Sequence, residues 1–477
     1  MGWYHISAIF LTSNLRPVII SESVSMKLSM MCHKKKQMDI IVKYYDKNKR
    51  ETVTHYYNSS FLGRTTAEDL LAHFKLGMKD LNMKKMVHIS MDGPNVNWKF
   101  PDLLKKDFWD DECPRFLEYG SCGLHVIHGA IETGHLKAGW KVHDMLSSAY
   151  YLFKGSPARR AEFTLITGST TFPMKFCKTR WVENVPVDKK FLLLFDQVKK
   201  FMDKATHTRK ARTALQSWQR LEAGFKDPFM KARIHFFIAL SSEVEPFLRR
   251  YQTASPYLPF LYDDLSVIVE NLLKRYVQPS KLENLTTKQL AEFDLDVKDN
   301  LLTANKVKVG LAVKRELNNL KTQKKLVADL QISEFYQGCA LFTKEMCKKI
   351  LERSPLKYNF VRFVSSISPS TINNSPDAAK KRMEKLLLHL AMCRWISNCD
   401  GDAATSQFDV LCRHAEGPLK RMFEDWEDER LDNFYSKIFH SKNFPYGFKE
   451  LESVFQAVFV PSCHGRVRLL DQSRSNH

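Results

Sequence analysis

Long apolar runs are missing from this chain of 477 residues. The longest, such as Ala8 to Leu11 and Phe191 to Phe195, fall well short of the ~20 apolar residues that span a bilayer, so no membrane partner is expected. The apolar amino-terminal segment has no basic start before it and contains Arg16 and Pro17, which argues against a secretory signal. Low-complexity tracts and internal repeats are also lacking, and 44% of the residues are apolar. That supports a folded protein with a sizeable core and two or more domains.

Acidic residues are scarce relative to basic ones. Lys and Arg number 73 against 53 Asp and Glu, a formal charge of +20. Each phosphate met by a Lys or Arg releases counterions, so a polyanion is the expected partner and DNA the first candidate, with a generally basic surface as the alternative. The ten cysteines are spaced irregularly, and without a secretory signal they are expected as reduced thiols in a nuclear or otherwise cytoplasmic protein. The only metal-like spacing is Cys122-x-x-His125, with His128 one turn on. A structural zinc site needs four ligands and no second pair follows, so no cofactor is expected.

Residues 38–46 and 51–57 are rich in β-branched and aromatic side chains and flank Lys47-Asn48-Lys49-Arg50, which predicts a hairpin. Thr65 or Thr66 can cap a helix whose apolar positions are Leu70, Leu71, Phe74 and Met78. A strand from Met86 ends at Asp92, where Gly93-Pro94-Asn95 supplies turn residues. A helical segment around Trp98 to Leu104 and a strand-like run, Phe116 to Tyr119, lead to Cys122. With a short strand near Pro17 to Ile20, the order is β-β-β-α-β-α-β, and beyond Leu124 almost everything reads as helix.

Three pieces then occur in a telling order: Asp92-Gly93-Pro94-Asn95, Cys122-x-x-His125 and Arg180-Trp181. In that order the chain resembles the catalytic region of hAT-superfamily transposases, over roughly residues 38 to 440. The family's first motif is an Asp-Gly-x-x-Asn strand end, and this chain is one residue tighter. The resemblance implies an α/β RNase H-like core, a mixed sheet flanked by helices, with a large all-helical insertion domain. The expected division is an atypical amino-terminal segment (1–37), the core (38–187), the helical insertion (188–420) and a carboxy-terminal remnant of the catalytic helix and dimerisation region (421–477). That last region leaves a homo-oligomer open.

The family cuts DNA with two divalent metal ions, Mg²⁺ or Mn²⁺, held by three converging acids. Here only Asp92 matches. Where an Asp-Glu-Ser motif is expected, the chain reads Ser21-Glu22-Ser23, and a hydroxyl cannot bridge metals as a carboxylate does. Glu22 and Asp39 are the substitutes on offer. The carboxy-terminal motif begins at Val458 to Gly465 but continues Arg466-Val467-Arg468 with no Glu, and no amino-terminal zinc finger is found.

The remaining candidates concern DNA. The resemblance places Cys122 and His125 near the acid site, His125 either contacting DNA or helping to order Asp92, with a buried helix-start cluster with Leu124 and Val126 as the alternative. It offers Trp181, beside Arg180, for stacking on an unpaired base or as core. Two stretches are notably basic: Lys204 to Arg233, with Lys204, Arg209, Lys210 and Arg212, and Asn305 to Lys325, with Lys314 and Arg315. Either could track a phosphate backbone or be a solvated helix face. Three readings stay open: a transposon-derived nucleic-acid-binding protein without transposase activity, an active metal-dependent DNA transposase, and a protein-interaction scaffold.

Overall fold

A computed structural model describes residues 5–10, 25–30, 36–63, 66–92, 96–108, 114–120, 123–178, 180–205, 215–253, 255–322, 327–426, 429–441 and 447–461. Most of them are helical. Two compact units are present: Met1–His125 with Arg249–Ser266 and Arg353–His477, and Val126–Leu248 with Val267–Glu352.

The first unit holds the sheet, with strands β1 (His5–Phe10), β2 (Ser25–Met30), β3 (Lys36–Asp46), β4 (Glu51–Leu62) and β5 (Met86–Asp92) in the order β1-β5-β2-β3-β4. Its most extensive pairing is the antiparallel hairpin β3–β4, registered from Lys36↔Leu62 to Asp46↔Glu51. This is the hairpin expected from the sequence, and its turn places Arg50 at φ 55°. β1 and β2 register against the same residues, Ile40 and Ile41 of β3 and Ser90 and Met91 of β5, with opposite polarity. The strand expected near Pro17 to Ile20 lies outside the described residues.

Helix α1 (Ala67–Gly77) starts where the hydroxyl of Thr66 accepts the Asp69 N–H, with Glu68 and Asp69 in its first turn favouring the helix dipole. Its Leu70, Leu71 and Phe74 pack with Met38, Ile40 and Val42 of β3 and with Phe100 and Leu104 of helix α2 (Val96–Phe108). Fully burying such a side chain contributes about 1.5–3 kcal/mol, so this face anchors the hairpin.

Phe116 to Tyr119, expected as a strand, is not one. Arg115 N–H donates to Cys393 O at 2.9 Å and the Trp395 indole to Arg115 O at 2.7 Å. Leu117 N–H donates to Val87 O of β5 at 2.9 Å, a single backbone bond in place of a ladder. Backbone groups that a ladder needs are thus spent on residues 393–395. Gly120 follows at φ 86°, and a side chain there would collide with the Tyr358 ring.

The hairpin is also tied to the end of the chain. Asp432, fully buried, accepts hydrogen bonds from Thr52 N (2.7 Å) and Thr52 Oγ1 (2.9 Å) and faces the Arg430 guanidinium at 2.6 Å.

The second unit is helical among its described residues, apart from one antiparallel bridge, Val277↔Leu301. It contains most of α3 (Gly123–Lys137), then α4 (Val142–Phe153), α5 (Pro157–Thr167) and α6 (Val185–Lys204), and the helices Gln216–Lys226, Leu311–Thr322 and most of Asp329–Arg353. Gly134 lets α3 approach the backbone of Phe342, where a Cβ would sit 2.6 Å from its carbonyl oxygen. Trp140 packs against Phe236, Phe335 and Phe342. Among the described residues, no helix is long and apolar enough to cross a membrane.

Candidate nucleic-acid interface

Asp92 is the last residue of β5, as the sequence predicts, and the turn residues 93–95 lie outside the described ones. Across the sheet, Asp92 registers with His5 of β1. On β2, the Met26↔Met91 pair puts Lys27 next in line. Neither neighbour is acidic.

Asp39, one of the two substitute acids, is 6% exposed, and its Oδ1 accepts from Gln37 Nε2 (2.7 Å), Ser59 Oγ (2.9 Å) and Tyr56 Oη (3.3 Å). Three donors on one oxygen make it a fixture of the hairpin. Glu22 lies outside the described residues. The described residues therefore do not fit a two-metal centre, which needs several carboxylate oxygens around the same ions.

His88, two residues before Ser90, is buried and stacked on Tyr119 with ring centroids 3.8 Å apart. Its Nδ1–H donates to Leu117 O at 2.8 Å, which leaves Nε2 as an acceptor with no partner among the described residues. Burial pulls its pKa down to about 3, so the ring is neutral at physiological pH.

Cys122 lies outside the described residues, and His125 is exposed in the first turn of α3 between the buried Leu124 and Val126, rather than itself part of a buried cluster.

Arg180 is paired with Glu183 at 2.9 Å. Trp181 is only 4% exposed, so its ring is not presented to a base; the expectation that it stacks on DNA gives way to the core alternative. The indole sits among His135, His143, Phe176 and Phe237, because the short helix Trp181–Asn184 turns it inward at the start of α6. Asn184 locks that turn, accepting the Cys177 N–H at 2.7 Å and donating to three carbonyls. Burial pulls the His135 imidazole down to about 4 and lowers His143 as well. The Trp181 Nε1 meets no acceptor in good geometry, although the indole is near enough to temper the burial that pushes Glu132 up. No signal in the sequence pointed to the two histidines around this ring.

The two basic stretches differ in a way their composition hides. In the first, Arg209, Lys210 and Arg212 lie outside the described residues, and Lys204 closes the last turn of α6, where a cation suits the helix dipole. Beyond them, Arg220 faces Asp144 at 3.8 Å, Lys226 Glu222 at 3.0 Å and Lys231 Asp196 at 2.9 Å, and Arg233 pairs with Asp227. Acids thus meet its described carboxy-terminal half.

The second stretch is presented differently. Helix Leu311–Thr322 buries Val313 and Leu317 and exposes Lys314 and Arg315. Lys306 and Lys308, just before it, are exposed too. Among the described residues, none of these four cations has an ion pair, and only Lys321 meets an acid, Asp329 at 3.8 Å. Spacing announced one neutralised pair, Glu222 and Lys226 at i,i+4; Asp144 and Asp196, remote in sequence, gave no local sign. Against known proteins, the chain matches no family model and no curated protein.

Proposed function

We propose that this chain is a transposon-derived, nonspecific nucleic-acid-binding protein that resembles hAT transposases and lacks transposase activity. The observation that carries the binding is that Lys306, Lys308, Lys314 and Arg315 are exposed and have no ion pair among the described residues. Four such charges within ten positions of sequence suit a phosphate backbone.

An RNase H-like core is part of the same reading. It is supported by β2 running antiparallel to β3 and parallel to β5, by α1 between β4 and β5, and by helix Lys449–Phe459 packing against β3. The loss of activity is supported by Ser21 in place of the first acid, by Asp39, whose Oδ1 takes three donors within the hairpin, and by the non-acidic register neighbours of Asp92. Nuclear residence follows from the proposed ligand.

Fluorescence anisotropy of a labelled duplex at rising salt tests it. Four phosphate contacts predict a slope of log K against log salt near −3.6, at ~0.9 per contact. Lys314→Glu with Arg315→Glu should reduce that slope by about two contacts' worth. Affinity that ignores salt, or a double variant with the parent slope, rejects the interface.

A further inference from the structure

The first unit carries a cavity of about 490 Å³, in the range of small-ligand sites, that no part of the proposed function uses. One wall is a stack: Trp426 lies parallel to Phe260 with centroids 5.1 Å apart and planes 9° off, and the Arg250 guanidinium sits 4.7 Å from the Phe260 ring. Trp426 is half-buried, so the stack ends on a ring that is partly open. Its indole Nε1 is buried and meets no acceptor among the described residues.

Two carboxylates line the same space, and they are not alike. Asp264 is used up, taking Arg250 at 3.0 Å and the Tyr251 hydroxyl at 2.8 Å. Asp263 receives no hydrogen bond from the described residues; its nearest cation, Arg382, is 4.0 Å away, and 49% of its side chain is exposed. A half-exposed carboxylate that takes no hydrogen bond from the described residues and a partly open indole ring therefore line the same space. The local charge is balanced, Asp263 and Asp264 against Arg250 and Arg382, which disfavours a cationic ligand and suits a neutral one. Two adjacent N–H donors on a planar ring would satisfy Asp263.

We propose that this cavity binds a guanine base, stacked on Trp426 with its N1–H and N2–H donating to the Asp263 carboxylate. Adenine and cytosine present no such pair of neighbouring donors. The base can come from a free nucleotide or from an unstacked position in a single strand, and the site chemistry is the same for both.

Calorimetric titration of the full chain with GMP, IMP, AMP and CMP tests the assignment. GMP should bind, and IMP, which lacks the N2 amino group, should bind about tenfold more weakly, with AMP and CMP weaker still. Asp263→Asn should weaken GMP at least about tenfold, with a parental melting curve showing the fold is kept. Equal binding of GMP and IMP by the parent chain, no binding of GMP, or preferential binding of agmatine overturns the proposal, and the GMP–IMP comparison needs no variant. An oligothymidine with one central guanine separates the sources: tighter binding than GMP indicates a strand, weaker binding a free nucleotide. Neither nucleotide arm depends on duplex binding through Lys314 and Arg315.

Discussion

Asp432 is the most consequential single side chain outside the proposed interface, because it is fully buried and joins the hairpin to the end of the chain. Replacing it with alanine removes acceptors for Thr52 N, Thr52 Oγ1 and the Arg430 guanidinium at once. Hydrogen bonds to a charged group contribute about 1.5–3 kcal/mol each, but three around one carboxylate do not add. Removing one partner of a buried ion pair typically costs about 3–5 kcal/mol, and Arg430, with 27% of its side chain exposed, keeps part of its hydration. We therefore expect a loss of ~3–4 kcal/mol for Asp432→Ala. Urea denaturation followed by tryptophan fluorescence reads this as a lowered midpoint with the slope unchanged. The Lys226–Glu222 pair is the control: both side chains are more than half exposed, and Lys226→Ala should cost no more than about 0.5 kcal/mol. A cycle with Thr52→Val should return a coupling above ~1 kcal/mol. If Asp432→Ala costs less than about 1 kcal/mol, or is additive with Thr52→Val, the tie contributes little and the carboxy-terminal helices hold by apolar packing alone.

Three further outcomes follow from burial. Asp188 is fully buried in the first turn of α6, neither carboxyl oxygen meets a partner in good geometry, and burial pushes its pKa well up, offset in part by its own N–H. Because the folded state holds that proton more tightly, stability falls as pH rises above 3.8, by up to about 1.4 kcal/mol per unit until the raised value is reached; Asp188→Asn should melt higher than the parent at pH 7 and lose that advantage near pH 4. His88 has the opposite sign: the unfolded chain takes up its proton below 6.5 and the folded chain only near 3, so stability falls with pH between those values at up to ~1.4 kcal/mol per unit, and His88→Gln should flatten the acid limb by one proton. Trp181→Ala should cost about 3–5 kcal/mol as a core deletion, and leave the salt slope of DNA binding unchanged; a selective loss of single-strand affinity in a folded Trp181→Phe chain would restore the stacking role.

Local pattern carried the hairpin and α1, because both are decided by nearby residues. The alternation in 38–46 and 51–57 faces one apolar cluster, and Thr66 with Asp69 fixes the helix start. Phe116 to Tyr119 has the same strand-like composition and a different outcome, since what settles it is Trp395 bonding to Arg115 from 280 positions away. No window of sequence contains that information. Trp181 stayed open between stacking and core for a related reason: a motif says which residue is present, while exposure is set by α3, α4 and the helix Met230–Arg250, which bring His135, His143 and Phe237 around it.

The basic stretches show how much a net charge leaves undetermined. A charge of +20 is a sum, and affinity for a polyanion depends on which cations remain unpaired at the surface. Lys226, Lys231 and Arg233 count towards the sum and yet each faces an acid, whereas Lys314 and Arg315 stand on the solvent face of a helix whose other face is buried. The same logic applies to Asp92. A carboxylate at a strand end becomes a metal ligand only if neighbouring strands bring further oxygen, and here the register brings His5 and Lys27 instead. The register thus brings no second carboxylate to Asp92, while the exposed Lys314 and Arg315 of Leu311–Thr322 are suited to phosphate.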